Sequence, residues 1–341
     1  MRHTLRVLVA VALAAAATGC SADKAGGGDL TIRNCEVDVR FPAPAKRLFV
    51  NDGNLISMVL ALGAQEQVVA VSSVQRDADT LRRHYGPAVD ELKTVAPEYP
   101  SRETVLAQGP DVMVAGWNYG YDEAKNLTPD SLSKAGIAAY TLTESCRQRN
   151  GERPRGIVEP WTALRADLTN LGAITGHADR ATELTADLDR RLAALTAAPQ
   201  AERKPTIFLF DSATDSLMSS GSFGAPQAIL AAAGGRNALD DVADTWTRVS
   251  WERLAAADPD AIMFVDYPPQ TFAQKLELLR AKPGINQLRA VTEGRFLNLP
   301  YAMWTSGPLN IDAAEQIRRQ LETWNLVPAS TIQPRTDDAV R

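Results

Sequence analysis

Short apolar runs alternate along the chain with stretches whose apolar residues recur every three or four positions, the two patterns that mark buried strands and one-sided helices. "RLFVND" reads as a strand, and "GNLISMVLALGA" as a helix with Leu55, Val59 and Leu62 on one face and Gly63 as its stop. "QVVAVSS" is a second strand. A helix from Ser101, the strand "DVMVAG", the helix "LTPDSLSKAG" and the strand "IAAYTLTES" follow. The second half repeats this programme. "PTIFLFD" is a strand ending in an acid, as "RLFVND" does. After it come the helix "APQAILAAAGG", a helix from Ser250, the strand "AIMFVDY", a helix near residues 284–291 and the strand "RFLNLPY". The last helix, "NIDAAEQIRRQLETW", sets Ile311, Ala314, Ile317 and Leu321 on one face.

Strands that alternate with helices imply parallel sheets covered on both faces. Between the halves lies a strand-free stretch: "PWTALRADLTNLGAITG" opens with Pro160 at a helix start, and residues 179–198 carry Leu184, Leu188, Leu192 and Leu195 at helical spacing. Twenty residues of helix span about 30 Å, enough to bridge two lobes. The expected fold is α/β, with two similar parallel-sheet lobes at 46–156 and 201–327. A single long backbone helix within the linking helices of 157–200 joins them. Residues 1–19 read as a leader and 20–45 as a tether with an N-terminal segment. Residues 328–341 are polar and are expected to be disordered.

One phrase occurs twice. "SRETVLAQGPDVMV" from Ser101 and "SWERLAAADPDAIM" from Ser250 share Ser, Glu, Ala, Pro and Asp in register. Each serine can cap a helix, each glutamate (Glu103, Glu252) sits where the helix dipole favours a carboxylate, and each Pro-Asp ends the helix and launches a strand. Taken alone, this is equally a pair of well-made helix starts.

The N-terminus "MRHTLRVLVAVALAAAATGC" has a basic start and an apolar run too short for a membrane span, and it ends in small residues before Cys20. That ending resembles a bacterial lipobox, in which the cysteine becomes the lipid-anchored first residue; Ala17 stands where Leu is commoner. An ordinary secretory cut is the alternative. Of three cysteines, lipidation of Cys20 leaves Cys35 and Cys146, an even pair suited to a disulfide in an oxidising compartment, against the alternative of two buried thiols. The 341-residue chain is 45% hydrophobic and carries a formal charge of −5 without a Lys/Arg block, which gives no reason to expect nucleic acid.

The ordered set "RLFVNDGNLISMVLALGAQEQVVAVSS", "SRETVLAQGPDVMVAG", "LSKAGIAAY", "LTNLGAITG", "SWERLAAADPDAIMFV" and "IDAAEQI" resembles the periplasmic binding components of ABC importers for ferric siderophores, haem and vitamin B12. The resemblance runs from about Lys46 to Trp324. It implies a monomeric, extracytoplasmic binding protein, held at the membrane by Cys20, that passes a small molecule to a permease dimer with its ATPase. It further implies that Glu103 and Glu252, one per lobe, dock on arginines of the two permease subunits. That would explain the doubled phrase.

In such lobes the ligand lies beyond the carboxyl ends of the strands. Those ends carry Asn51 and Asp52, Arg76, Trp117, Tyr119 and Tyr121 in the first lobe, and Trp246, Arg248, Tyr267, Tyr301 and Trp304 in the second. Each ring taken singly is as readily a core residue; the cluster reads as a binding surface. With only His84 and His177 beyond the leader, direct coordination of a bare metal is unfavoured, so no metal site or cofactor is expected and the chelator supplies the metal ligands. Few cations (Arg76 and Arg248, with Arg82 and Arg83 nearby) and many aromatics favour a near-neutral complex, first a ferric siderophore of hydroxamate type. A corrinoid, haem or another small metabolite is the alternative. No G-x-S-x-G, H-E-x-x-H, G-x-G-x-x-G or Walker loop is present, which argues against an enzyme. A lipoprotein that binds a partner without transport is the remaining class.

Overall fold

The computed structural model describes residues 28–147, 156 and 158–340. The leader, Cys20 and the tether to residue 27 lie outside them. An antiparallel hairpin, β1 (Gly28–Asn34) and β2 (Val37–Ala43), comes first. The first lobe follows in the order β3 (Leu48–Asn51), α1 (Gly53–Ala61), β4 (Val68–Ser72), α2 (Ala78–Tyr85), β5 (Thr94–Ala96), α3 (Arg102–Gln108), β6 (Val112–Trp117), β7 (Gly120–Tyr121), α4 (Pro129–Ser133) and β8 (Ala138–Thr141). Its sheet runs β5-β4-β3-β6, with β7 and β8 both paired to β6, and every pairing is parallel.

Two helices lead to the second lobe: α5 (Pro160–Thr175) and, after a left-handed turn at Gly176, the 20-residue α6 (Ala178–Ala197). The second lobe then has β9 (Thr206–Phe210), β10 (Ser212–Ala213), β11 (Leu217–Ser220), α7 (Ala225–Ala232), β12 (Arg236–Asn237), β13 (Trp246–Val249), α8 (Trp251–Ala257), β14 (Ala261–Asp266), α9 (Phe272–Ala281), α10 (Arg289–Thr292), β15 (Phe296–Pro300) and α11 (Asn310–Thr323). The parallel sheet β12-β9-β14-β15 is its centre, and a small antiparallel sheet β10-β11-β13 stands beside it. The α/β class, the parallel sheets and the helical bridge match the expectation. The hairpin, α2, α9 and the antiparallel sheet were not anticipated, and the helix placed near 284–291 is a 3-10 turn followed by the short α10.

One apolar core threads both lobes, with Leu55 on α1, Leu164 on α5, Leu188 on α6 and Ile317 on α11 in a single cluster. Separate clusters around Phe208, Phe210 and Phe264, and around Phe49, Met113 and Tyr121, fill the outer face of each sheet. Cys35 and Cys146 form a disulfide between the hairpin and the turn after β8. Asn34 exchanges two hydrogen bonds with the Thr141 backbone, at 2.8 and 2.7 Å, beside it.

The doubled phrase has a structural job in both lobes. Ser101 accepts from Thr104 N at 3.1 Å and Ser250 from Arg253 N at 3.3 Å, so both are N-caps. Gly109 and Asp258 end the two helices in the left-handed conformation. Asp111 then takes the backbone N–H groups of Lys46 and Arg47 at 2.8 and 3.0 Å, and Asp260 takes that of Thr206 at 2.8 Å. Each Pro-Asp aspartate thus staples the start of its lobe's first strand.

The polar tail departs from expectation. Rather than lying free, residues 328–340 run over the body, and Asp338 is only 2% exposed. Its side chain finds charged and amide partners on both lobes, which is what holds a segment with little apolar content in place.

Candidate functional site: the cleft between the lobes

Strand order reverses between β3 and β6 in one lobe and between β9 and β14 in the other, and ligands of open α/β sheets bind at such switch points. Asp52 follows β3 and caps α1 with φ 77°, its carboxylate accepting from Gly53 N at 3.0 Å. The same oxygen binds Arg76 Nη2 at 2.5 Å. Asp52 is fully buried, and Arg76 is 13% exposed at the side chain.

Tyrosines from both lobes enclose this pair. The Arg76 guanidinium carbon lies 4.5 Å from the ring centre of Tyr301, 4.9 Å from that of Tyr267 and 6.0 Å from that of Tyr99. Tyr99 and Tyr301 donate their hydroxyls to Asp52 Oδ2 at 3.2 and 3.4 Å, and Arg76 reaches the Tyr267 hydroxyl at 3.4 Å. Burial works against the Arg76 charge, but Asp52 and the facing hydroxyls outweigh it, and the guanidinium is held above its ordinary value.

Asp77, next in the chain, is wholly buried at the start of α2. Oδ1 accepts from Ala302 N of the second lobe at 3.0 Å, and Oδ2 has no hydrogen-bond partner. Burial, reinforced by Asp52 and offset by Arg76, pushes this carboxyl up to about 7. The site depends on Gly53: a Cβ there would stand 2.1 Å from Asp77 Oδ2, so no other residue admits the aspartate. Across the cleft, burial pushes Asp211 at the end of β9 up to about 6, with Lys275 opposing. Lys275 is buried, donates to Val265 O at 2.6 Å, and is lowered by desolvation.

The structure thus brings Arg76, Tyr267 and Tyr301 together with Asp52. Tyr119 is nearly buried next to them, its carbonyl accepting from Asn51 Nδ2 at 2.5 Å. Trp117 is half-buried under the Arg147 guanidinium, 3.7 Å from the ring centre. Trp246 and Arg248 sit on β13; Trp246 is half-buried and Arg248 is exposed beside Ser216. Two expected cleft residues belong to the core instead. Tyr121 is fully buried, donating to the carbonyls of Met113 and Tyr140, and Trp304 is fully buried with Nε1 bonded to Phe264 O. Their hydroxyl and indole N–H found backbone acceptors, so nothing polar was left to face a ligand. Arg82 is spent on Asp79 and Asp90 at the surface, and Arg83 on Asp338. Asp77 and Tyr99 were missed. An aspartate just ahead of a helix was the available signal for the first; Tyr99 lies in a loop with no pattern to mark it.

Glu103 and Glu252 are both exposed in the first turns of α3 and α8. Each carboxylate is held below its ordinary range by its own backbone N–H and then by the capping serine, so both are anionic at neutral pH.

The molecule is similar in fold to a periplasmic binding protein from Veillonella parvula, at TM-score 0.74 and 20% identity over 87% of this chain and 99% of that one. It is also similar to a protein of an ABC-type Fe3+-hydroxamate transport system from Saccharomonospora viridis (TM-score 0.70, 22% identity, 86% and 98% covered). A third similar structure is a periplasmic haem-binding protein from Pseudomonas aeruginosa (TM-score 0.65, 24% identity, 86% and 95% covered). No curated protein sequence matches. A family model described as periplasmic binding protein matches residues 52–302, from the aspartate that holds Arg76 to the backbone N–H that Asp77 accepts. The chain belongs to the periplasmic binding protein family.

Proposed function

We propose that this protein is an extracytoplasmic solute-binding lipoprotein, tethered through Cys20, that delivers a near-neutral ferric chelate of hydroxamate type to an ABC import permease. The observation that carries the reading is the Arg76 cage: one cation, already matched by Asp52, set among tyrosines from both lobes. A polyanionic catecholate complex needs several uncommitted cations, and this cleft floor offers only Arg76, already paired with Asp52, and Lys275, bonded to Val265 O. The oxygen atoms of a hydroxamate complex can instead accept single hydrogen bonds from an arginine or a tyrosine hydroxyl, while its carbon frame packs on the rings. The chelator brings the metal's ligands with it. Among the described residues no group of three or more His, Cys, Asp or Glu is placed to hold an ion.

The test is intrinsic tryptophan fluorescence titrated with ferric hydroxamates, ferric catecholates, haem, cobalamin and free metal ions. Trp117, at the carboxyl end of β6, and Trp246, on β13, are both half-buried and serve as reporters. Saturable quenching by a ferric hydroxamate, absent with free iron, is the expected result. Tight binding of a catecholate, haem or cobalamin instead would reassign the cargo. Silence across the panel would remove the metal-chelate reading.

A further inference from the structure

The cleft residues Arg76 and Asp77 stand at the start of α2, whose eight residues run roughly 12 Å to Arg83 and His84 at its far end. That far end is held by the tail. Asp338 has a fully buried carboxylate. It accepts from Arg83 Nε at 3.2 Å and lies 3.1 Å from His84 Nε2, both on the first lobe. It also accepts from Gln316 Nε2 on α11 of the second lobe at 3.0 Å, and its backbone N–H returns a bond to Gln316 Oε1 at 3.0 Å. Thr336 adds its hydroxyl at 2.6 Å. On either side, Arg335 makes a two-pronged contact with Asp187 of α6 at 2.7 and 2.8 Å, and Val340 pairs with Asn298 of β15 at 3.0 and 3.2 Å. One short segment is therefore bonded to the first lobe, the second lobe and the helix that joins them.

A pocket of about 360 Å³, open to solvent, lies beside it, lined by Leu60, His84, Leu188, Ile311 and Arg335. Close packing normally fixes a helix by leaving it nowhere to go. Here the end of α2 borders an open pocket, so the tail's polar bonds add to the packing of Tyr85 on the core and to the Arg82–Asp90 pair in fixing it.

We propose that residues 328–340 form an inter-lobe strap in which Asp338 positions α2, and through it Arg76 and Asp77, so that the tail sets how far the lobes part. The link to ligand binding rests on the cleft reading above; the strap itself does not. Asp338 is a positioning residue, far from the cleft. Its carboxylate is held well below the ordinary range because the bonds from His84, Thr336 and Gln316 outweigh the burial that opposes them, so the strap stays charged in mild acid.

The test is hydrogen exchange on the full chain with and without Asp338→Ala, read helix by helix. Loss of a buried charge-assisted cluster should accelerate exchange of α2 amides by about tenfold, with α4 and α9 unchanged. Spin labels placed through Glu91→Cys and Glu277→Cys, on exposed sites of the two lobes, should report a broader separation. Unchanged α2 exchange and separation in the folded variant would overturn the strap, and so would equal acceleration in every helix. Should Asp338→Ala not fold, Asp338→Asn decides: it keeps the shape but loses the charge facing Arg83 and His84, and α2 must again be the helix that loosens. Binding of a ferric trihydroxamate is followed on the same samples. Weaker binding in step with α2 exchange supports the link to the cleft; unchanged affinity with a loosened α2 overturns that link. A wild-type chain that binds no trihydroxamate overturns the ligand assignment, while exchange still decides the strap.

Discussion

At the first turn of α1, the missing side chain of Gly53 lets the Asp77 carboxylate pack where a Cβ would stand 2.1 Å from Oδ2, and the price of that packing is a buried acid held up to about 7. The consequence for stability follows from linkage. Between about 4 and about 7 the unfolded chain releases the Asp77 proton while the folded chain keeps it, so the unfolded state is progressively favoured as pH rises. Below that window both states are protonated, and above it both are ionised. Asp77→Asn removes this contribution and keeps an oxygen for Ala302 N. The variant's denaturant stability should therefore rise relative to wild type across the window, by up to about 1.4 kcal/mol per pH unit. Parallel pH profiles for the two proteins would show that Asp77 does not hold its proton in the fold. Asp167, also held up to about 7 by burial, leaves a residual slope of the same sign in both proteins.

The disulfide adds a covalent tie to a hairpin that also packs on the body through Ile32 and Phe41. The hairpin of β1 and β2 is two-stranded, and a lone hairpin has little stability in water. Cys35 at its turn is bound to Cys146, 111 residues away, and Asn34 adds its bonds to Thr141. Cys35→Ser with Cys146→Ser should lower stability by about 2–5 kcal/mol, with earliest loss of exchange protection in β1 and β2. Equal unfolding midpoints for oxidised wild type and the double variant would contradict this. At this scale the sequence was legible wherever one local signal sufficed. The runs of β3, β6, β9 and β14 are nearly all apolar because both sheet faces are covered, and Pro160 and Gly176 mark the ends of α5. It was illegible where partners lie far along the chain. Helix α2, "ADTLRRHY", has only Thr80 and Leu81 buried and is held by Asp90, Asp338 and the cleft. Tyr121 and Trp304 looked like binding residues because composition cannot say whether a polar tip will find a backbone carbonyl. The tail looked free because Asp338 shows nothing in sequence of Arg83, His84 or Gln316.

For the whole molecule, the repeated phrase separates two roles that its residues play at once. Ser101, Ser250, Asp111 and Asp260 are used up inside the lobes, as caps and strand staples. Glu103 and Glu252 bond to their own backbone N–H and to the capping serine, yet both stay exposed in the first turn of their helices and charged. A carboxylate that only completed a helix start would be needed in each lobe for that lobe's sake, and a partner would be indifferent to it. A two-lobed protein that docks on a two-fold permease instead needs one acidic contact on each lobe, and such contacts act mainly on association rate and register. These readings differ in outcome. Replacing both by glutamine leaves the serine caps and the cleft untouched, so ligand titration of Glu103→Gln/Glu252→Gln should match wild type, while thermal unfolding shifts slightly down as two favourable first-turn charges are lost. Uptake of the bound ligand by cells carrying the cognate permease should fall to background, with each single variant in between. Docking that weakens at raised ionic strength in wild type but not in the double variant would mark the same contacts. Normal uptake by the double variant would leave the two glutamates as helix-start residues and nothing more.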